Sequence, residues 1–417
     1  MMKHLFSAKP LPAVLFTVLL DSLGFGILIP VIPHLLANPL SPLYLLPPDT
    51  PASYGYTLLG ILAAVFPLCI FFAAPILGEL SDRYGRKKLW ALTLLSASFG
   101  YVLFAVGVAM KSILMLFVAR AIAGIAGGSI SIAQAAIADV TKPEERAQSF
   151  GLIGAMFGVG FIVGPFFGGV LSDSSYVSWF TASTPFWVAA AVSFINLLVL
   201  LALAPETHRA PRTDAPIDWV RSIRNIIRAF EMRELMPLYL TNFIYFFGFT
   251  FYMTFFGVFL IDRFQFTQGA IGNFFAYVGI WIIITQAIVT RFVARRFSEK
   301  QVLRVSIFAA AGALLVFFSV TEWWQLLLVA PFFAMANGLT FANMTGLISR
   351  SAGAAIQGEV LGLNASVQSL AQVFPALLSG IVAAGTTPET PVFVASLFMC
   401  TAAIFFTLYL LRQKKNP

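Results

Sequence analysis

Residues 56–78 read YTLLGILAAVFPLCIFFAAPILG, twenty-three residues without a charge, and the ten that follow, ELSDRYGRKK, carry six charges. About 20 apolar residues in helical form cross a bilayer core of about 30 Å, so the first stretch is a membrane span and the second its polar exit. The same ruler finds twelve spans, at 12–36, 56–78, 89–109, 112–139, 147–171, 183–204, 235–260, 269–293, 302–320, 324–349, 357–384 and 390–411. Across all 417 residues 59% are hydrophobic and 11% charged, with mean hydropathy +0.88. A soluble domain cannot bury that much apolar surface, and lipid must cover the rest. The first span follows Lys3, His4 and Lys9 as a secretory leader would, but it runs on to Leu36 without a small-residue cleavage site and is read as a retained helix. Cys69 and Cys400 lie inside apolar runs and are read as small hydrophobes.

Positive residues stay on the cytoplasmic side during insertion. With the N-terminus inside, 23 of the 26 Lys and Arg fall in cytoplasmic segments; only Lys111 and Arg263 lie outside, and Arg120 lies within a span. Both termini are therefore expected in the cytoplasm. The net charge of +8 is then topological, able to attract anionic lipid, and gives no reason to expect nucleic-acid binding. The expected fold is an all-α membrane protein with twelve transmembrane helices in two pseudo-symmetric six-helix bundles. Residues 1–204 form the N-terminal bundle, 205–234 a cytoplasmic linker with an amphipathic helix, and 235–417 the C-terminal bundle. In the linker Trp219, Ile223, Ile226, Ile227 and Phe230 recur at helical spacing with arginines opposite. Two readings stay open: a helix lying on the membrane surface, or an ordinary linker helix. An internal repeat supports the halving, since Phe150-Gly151 and Gly169 recur as Leu361-Gly362 and Gly380, each offset by 211 residues.

Four local patterns carry a resemblance. Residues 78–87, Gly78-Glu79-Leu80-Ser81-Asp82-Arg83-Tyr84-Gly85-Arg86-Lys87, fit G-x-L-x-D-R-x-G-R-K; two glycines let two helices end close together, and an acid among bases can make ion pairs. Span 1 carries Asp21-x-x-Gly24-x-Gly26-x-x-x-Pro30-x-x-Pro33, span 4 carries Arg120-x-x-x-Gly124-x-x-Gly127-Gly128, and span 5 carries Gly151, Gly160, Gly164, Pro165, Gly168 and Gly169. Together these resemble the Major Facilitator Superfamily, in particular its drug/proton antiporter branch, which includes the tetracycline exporters. The resemblance implies a gating cluster of Gly78, Asp82, Arg83, Gly85, Arg86, Asp139 and Glu359, in which Asp82 meets Arg86, the acid ending helix 4 and the start of helix 11. It implies proton transfer through the helix 4 arginine, and export rather than import through the span 5 motif.

A carboxylate inside an apolar span is a functional candidate by default. Asp21 lies about 15 Å above the inner start of span 1 and Arg120 about 18 Å above the inner face, so the two are nearly level. Arginine favours the charged carboxylate and burial the neutral one, so changing water access could switch Asp21. The plainer alternative is a static buried pair that orders the bundle. By family architecture the central cavity draws on Gln134, Asn242, Tyr245, Tyr252, Gln286, Asn337, Asn343, Asn364 and Gln368, any of which could instead join helices. Spans 89–109 and 302–320 hold no acid where the tetracycline exporters do, which argues against tetracycline itself.

The function expected is proton-coupled efflux of a small drug-like or amphiphilic molecule by alternating access, from the bacterial inner membrane, by a monomer. The alternatives are an exporter or facilitator of a metabolite or siderophore, and a membrane receptor or scaffold without transport. Three scattered histidines, and no nucleophile, metal or phosphate-loop pattern, leave no basis for an enzyme or for a cofactor beyond the proton gradient.

Overall fold

The structure is a computed structural model describing residues 11–141, 146–207, 218–352 and 356–415, with the side chains at positions 11, 13, 21, 25, 146–151, 153–155, 157–158, 161, 357–358 and 414–415 outside that description. Helix dominates. In chain order the helices are α1 (Leu11–Gly26), α2 (Ile32–Leu36), α3 (Ala52–Tyr84), α4 (Arg86–Ala109), α5 (Ile113–Gly127), α6 (Ser129–Val140), α7 (Arg146–Ser172) and α8 (Thr184–Leu203). There follow α9 (Arg221–Glu231), α10 (Met236–Phe264), α11 (Gln268–Ile284), a π turn (Thr285–Val289), α12 (Thr290–Ala294), α13 (Glu299–Ser319), α14 (Trp323–Arg350), α15 (Gln357–Gly385) and α16 (Thr390–Lys415).

Among the described residues ten helices are long and apolar enough to cross a membrane, and the other two predicted spans fall on α1 and α7. The chain is a multi-pass membrane protein. On α4, Leu92, Leu95 and Phe99 face outward while Leu89, Trp90 and Leu94 are buried, a division that makes sense where lipid is the solvent.

Four spans differ from their expected form, and one of them is span 4, which Gly128 divides into α5 and α6. Span 1 is broken: α1 stops at Gly26, and the backbone passes through the turns Ile29 N–H to Gly26 O and Val31 N–H to Leu28 O before α2. Pro30 lacks the amide that a continuous helix would need there. Span 2 is longer than its apolar run, since α3 carries on through Gly78 and the charged residues to Tyr84. The Arg83–Glu79 pair, one turn apart at 2.5 Å, supports that extension. The two-glycine turn expected between spans 2 and 3 is thus a one-glycine turn: Gly78 is helical, and Gly85, at φ 96°, makes the corner. Span 8 carries the π turn, where the Thr290 hydroxyl donates to Thr285 O across five residues.

Contacts divide the chain into two compact units. The first extends to Val31 and takes in Val65–Ser222 and Gln268–Gly272; the second holds Ile32–Ala64, Ile223–Thr267 and Asn273 onward. In the first unit Val14, Leu15 and Val18 of α1 pack with Leu89, Trp90 and Leu94 of α4, Ile132 and Ile137 of α6, and Leu197 and Leu200 of α8. In the second, the largest fully buried side chains are aromatic, among them Tyr245, Tyr252, Phe256, Phe317 and Phe333.

Candidate functional site

In the first unit the span 5 glycines form a rail against α1. A Cβ added at Gly164 would stand 2.7 Å from both Gly26 Cα and Leu23 O, and one at Gly160 would stand 2.8 Å from Leu19 O. Gly168 abuts the Ile27 carbonyl in the same way, and the Pro165 ring lies against Gly26. These glycines recur every four residues and so share one helix face, where only a hydrogen leaves room for two backbones to touch. Gly169, one position round the helix, meets Gly272 instead. Gly151, the first residue of the motif, is helical in backbone on α7, and its surroundings lie outside the description. The helix held so closely is the one that carries Asp21, between Leu19, Ser22 and Leu23. Asp21 is helical in backbone, while its side chain, and with it the expected meeting with Arg120, lies outside the described residues.

Arg120 on α5 is 5% exposed, with its guanidinium 4.5 Å above the ring of Phe66 on α3. The span 4 glycines explain how α5 comes so near: a Cβ at Gly124 would lie 2.7 Å from Phe66 O, and one at Gly128 3.0 Å from Ala74 N. Gly128 also separates α5 from α6, and Ser131 just beyond donates to Ala74 O at 2.6 Å. Tyr101 and Cys69 are among the polar side chains near enough to Arg120 to interact with it electrostatically. Tyr101 was not singled out in the sequence, yet its buried ring fills the space left by Gly24 on α1, three residues beyond Asp21, with Cζ 2.6 Å from where a Cβ would be. The signal was Gly24, a gap awaiting a large partner that sequence cannot name.

The 78–87 segment organises itself around Arg86, which is buried. Its guanidinium reaches Asp82 at 2.5 Å, Asp139 at 3.1 Å, the Ser81 hydroxyl at 2.5 Å and Gly78 O at 3.4 Å. Asp82, Arg86 and Asp139 are therefore brought together, while Arg83 turns to Glu79. Glu206, past the end of α8, was not foreseen: its carboxylate accepts from the backbone N–H of Arg86 at 2.9 Å and of Lys87 at 3.2 Å. It caps the N-terminus of α4, where exposed amides and the helix dipole favour an anion. In the second unit Glu359, expected with Asp82, pairs with Arg228 at 2.5 Å.

Four of the predicted cavity residues satisfy one another. The Asn242 amide donates to Asn364 Oδ1 at 2.7 Å, joining α10 to α15, and the Tyr245 hydroxyl donates to Asn337 Oδ1 at 2.5 Å, joining α10 to α14. All four are buried, and each pair meets the demand of polar groups at membrane depth. Gln286, in the π turn, donates to Gly338 O at 3.2 Å, and Asn343 to Leu339 O of its own helix at 2.7 Å. Gln134 and Gln368 are half-buried. Tyr252 lies between Phe256 and Phe333, at ring-centroid distances of 4.6 and 4.7 Å, and its buried hydroxyl has no hydrogen-bond partner among the described residues.

The sequence model of the Major Facilitator Superfamily matches residues 14–376 and 238–417. The tetracycline resistance protein, class C, of Escherichia coli is 32% identical over 383 residues, 91% of either chain, and the class D protein of Salmonella ordonez is 30% identical over 98% of both. Multidrug resistance protein 2 of Bacillus subtilis is 26% identical over 86% of this chain and 85% of that one. Among solved structures, a D-xylose-proton symporter superposes with a TM-score of 0.73 at 15% identity, covering 95% of this chain and 96% of that one. The human organic anion transporter MFSD10 (TETRAN) gives 0.71 at 22% identity, over 95% and 99%. A glycine-railed α1, an arginine buried in span 4, an Arg86-centred ion cluster and relatives of the same length all point one way: the chain belongs to the Major Facilitator Superfamily.

Proposed function

We propose that the protein exports a small drug-like or amphiphilic molecule across the bacterial inner membrane in exchange for protons. Its termini face the cytoplasm, and the halves 1–204 and 235–417 rock about the 205–234 linker while Asp21 gains and loses a proton. Outward access protonates Asp21 and releases substrate; inward access exchanges that proton for new substrate. Each proton entering releases about 2.3 kcal/mol per 100 mV of membrane potential, enough to drive a modest gradient. The observation that carries this reading is Arg120, a cation kept in an apolar span, beside a tyrosine that seats on α1 three residues from Asp21. A buried cation at membrane depth is costly unless it serves a pathway or a partner.

The tetracycline and multidrug resistance relatives support efflux of drug-like molecules, and do not favour a metabolite carrier or a receptor without transport. The same relatives are transporters rather than enzymes, and the reading needs no cofactor beyond the proton gradient and no second subunit. Within the second unit, substrate contact falls on Tyr252 and Gln368, which are not spent on the helix-joining pairs described above. The test is purified protein in vesicles loaded with a pH-sensitive dye and challenged with amphiphilic compounds under an imposed pH gradient. Proton movement that depends on a transported compound is the expected result. Compound exchange with no proton movement would contradict the coupling.

A further inference from the structure

The amphipathic α9 presents the wrong face to the protein for an ordinary linker helix. Such a helix buries its apolar stripe on its neighbours. Here the most buried positions are small, Ser222 at 2% exposed and Ala229 fully buried, with Asn225, Ile226 and Phe230 half-buried, whereas Trp219 is 67%, Val220 53%, Ile223 47% and Ile227 54% exposed. In the first unit the Ser222 hydroxyl donates to Phe71 O at 2.5 Å, and Arg221 stands 3.6 Å from Glu79. In the second, Asn225 donates to the Ser366 hydroxyl at 3.3 Å and Arg228 pairs with Glu359. Phe71 precedes Gly78 by seven residues and Ser366 follows Glu359 by seven, so both polar contacts lie about 10 Å along their helices into the apolar spans. An eleven-residue helix is about 16 Å long and cannot cross the bilayer. A short basic helix at that depth, apolar side outward, matches one lying at the boundary of headgroups and acyl chains.

We propose that α9 is an in-plane membrane helix that docks on an anionic lipid surface: Trp219, Val220, Ile223 and Ile227 enter the acyl boundary, and Arg221 and Arg228 are shared between Glu79, Glu359 and lipid phosphates. The side chains of Arg221 and Arg228 are 49% and 60% exposed, so their ion pairs are weak and open to exchange. Guanidinium suits a phosphodiester because its paired N–H groups match two oxygens. Arg224 and Arg233, also exposed, add to the positive rim. The proposal does not depend on what the protein transports.

The test uses the full chain with Trp219 as the one tryptophan, the other six of its seven replaced by Phe, in vesicles of equal parts phosphatidylcholine and phosphatidylglycerol. One or the other lipid is brominated to quench nearby indoles. Brominated phosphatidylglycerol is expected to quench Trp219 the more strongly, by up to about five-fold in local lipid preference per arginine, with salt reducing the difference. The variant R221Q/R224Q/R228Q is expected to lose the preference yet keep the quenching common to both lipids. Equal quenching by the two lipids in the unsubstituted helix would overturn the proposal, as would quenching by aqueous iodide but by neither lipid, the result expected of a helix in water or covered by a protein partner. Should the single-tryptophan chain not fold, mass spectrometry of lipid retained by the otherwise unaltered protein decides the matter. Phosphatidylglycerol enrichment that the triple variant loses supports the proposal, and enrichment unchanged by it overturns it.

Discussion

The α1–α7 interface and the α10–α14–α15 block solve the same problem, packing helices where lipid offers no hydrophobic drive, by opposite means. At the first, Gly160, Gly164 and Gly168 bring backbone against backbone. At the second, Tyr245, Tyr252, Phe256 and Phe333 interlock, with amide and hydroxyl pairs between them. A glycine seam has no side chains to unlock when two helices shift, whereas an aromatic block must move as one piece. The division suits the mechanism proposed above, with proton chemistry beside the seam and substrate contacts in the stiffer wall.

The sharpest way to break this contrast is to add atoms to the seam. Gly164→Val would drive a side chain into Gly26 Cα and Leu23 O, backbone on the far side, and is expected to cost about 3 kcal/mol or more. Gly312→Ala on α13, where nothing lies within 4 Å, is the control, expected to be neutral or to stabilise by up to about 1 kcal/mol. Apparent melting temperatures in detergent compare the two. Next comes Arg86→Gln, which leaves Asp82 and Asp139 without their shared cation. Asp82 is half-exposed, so the loss is about 1–3 kcal/mol rather than that of a fully buried pair, read on the same assay.

Arg120→Lys keeps the charge but gives up the flat guanidinium over Phe66. Proton-driven flux is expected to fall roughly tenfold, about 1.4 kcal/mol, at unchanged expression. The smallest effect should be Asn242→Leu, which orphans Asn364 at a cost of about 0.6–1.7 kcal/mol, with the double change Asn242→Leu/Asn364→Leu recovering most of it. A double variant that is stable yet no longer transports would mean that the pair also contacts substrate.

Much of the fold was legible because a span needs a long charge-free run, and such runs are local. The end of span 2 was not, because Glu79, Asp82 and Arg83 read as a polar exit although ion pairs one turn apart keep them helical to Tyr84. The π turn at Thr285–Val289 has neither Pro nor Gly to announce it. The site was legible where a rare residue type marked it, as with Arg120 in an apolar run or the spaced glycines of span 5. It was opaque where partner choice is tertiary: nothing local to Asn242 selects Asn364, nothing in Gly24 names Tyr101, and Glu206 reaches the start of α4 from 120 residues away.

The claim beneath all of this is that one carboxylate on the glycine-railed helix carries the proton. The direct measurement is flux driven by a pH gradient in vesicles holding Asp21→Asn beside the unaltered protein, with substrate exchange at equal pH measured in the same preparation. The account predicts that the gradient no longer drives flux while exchange continues. Full proton-driven flux in the variant would contradict it.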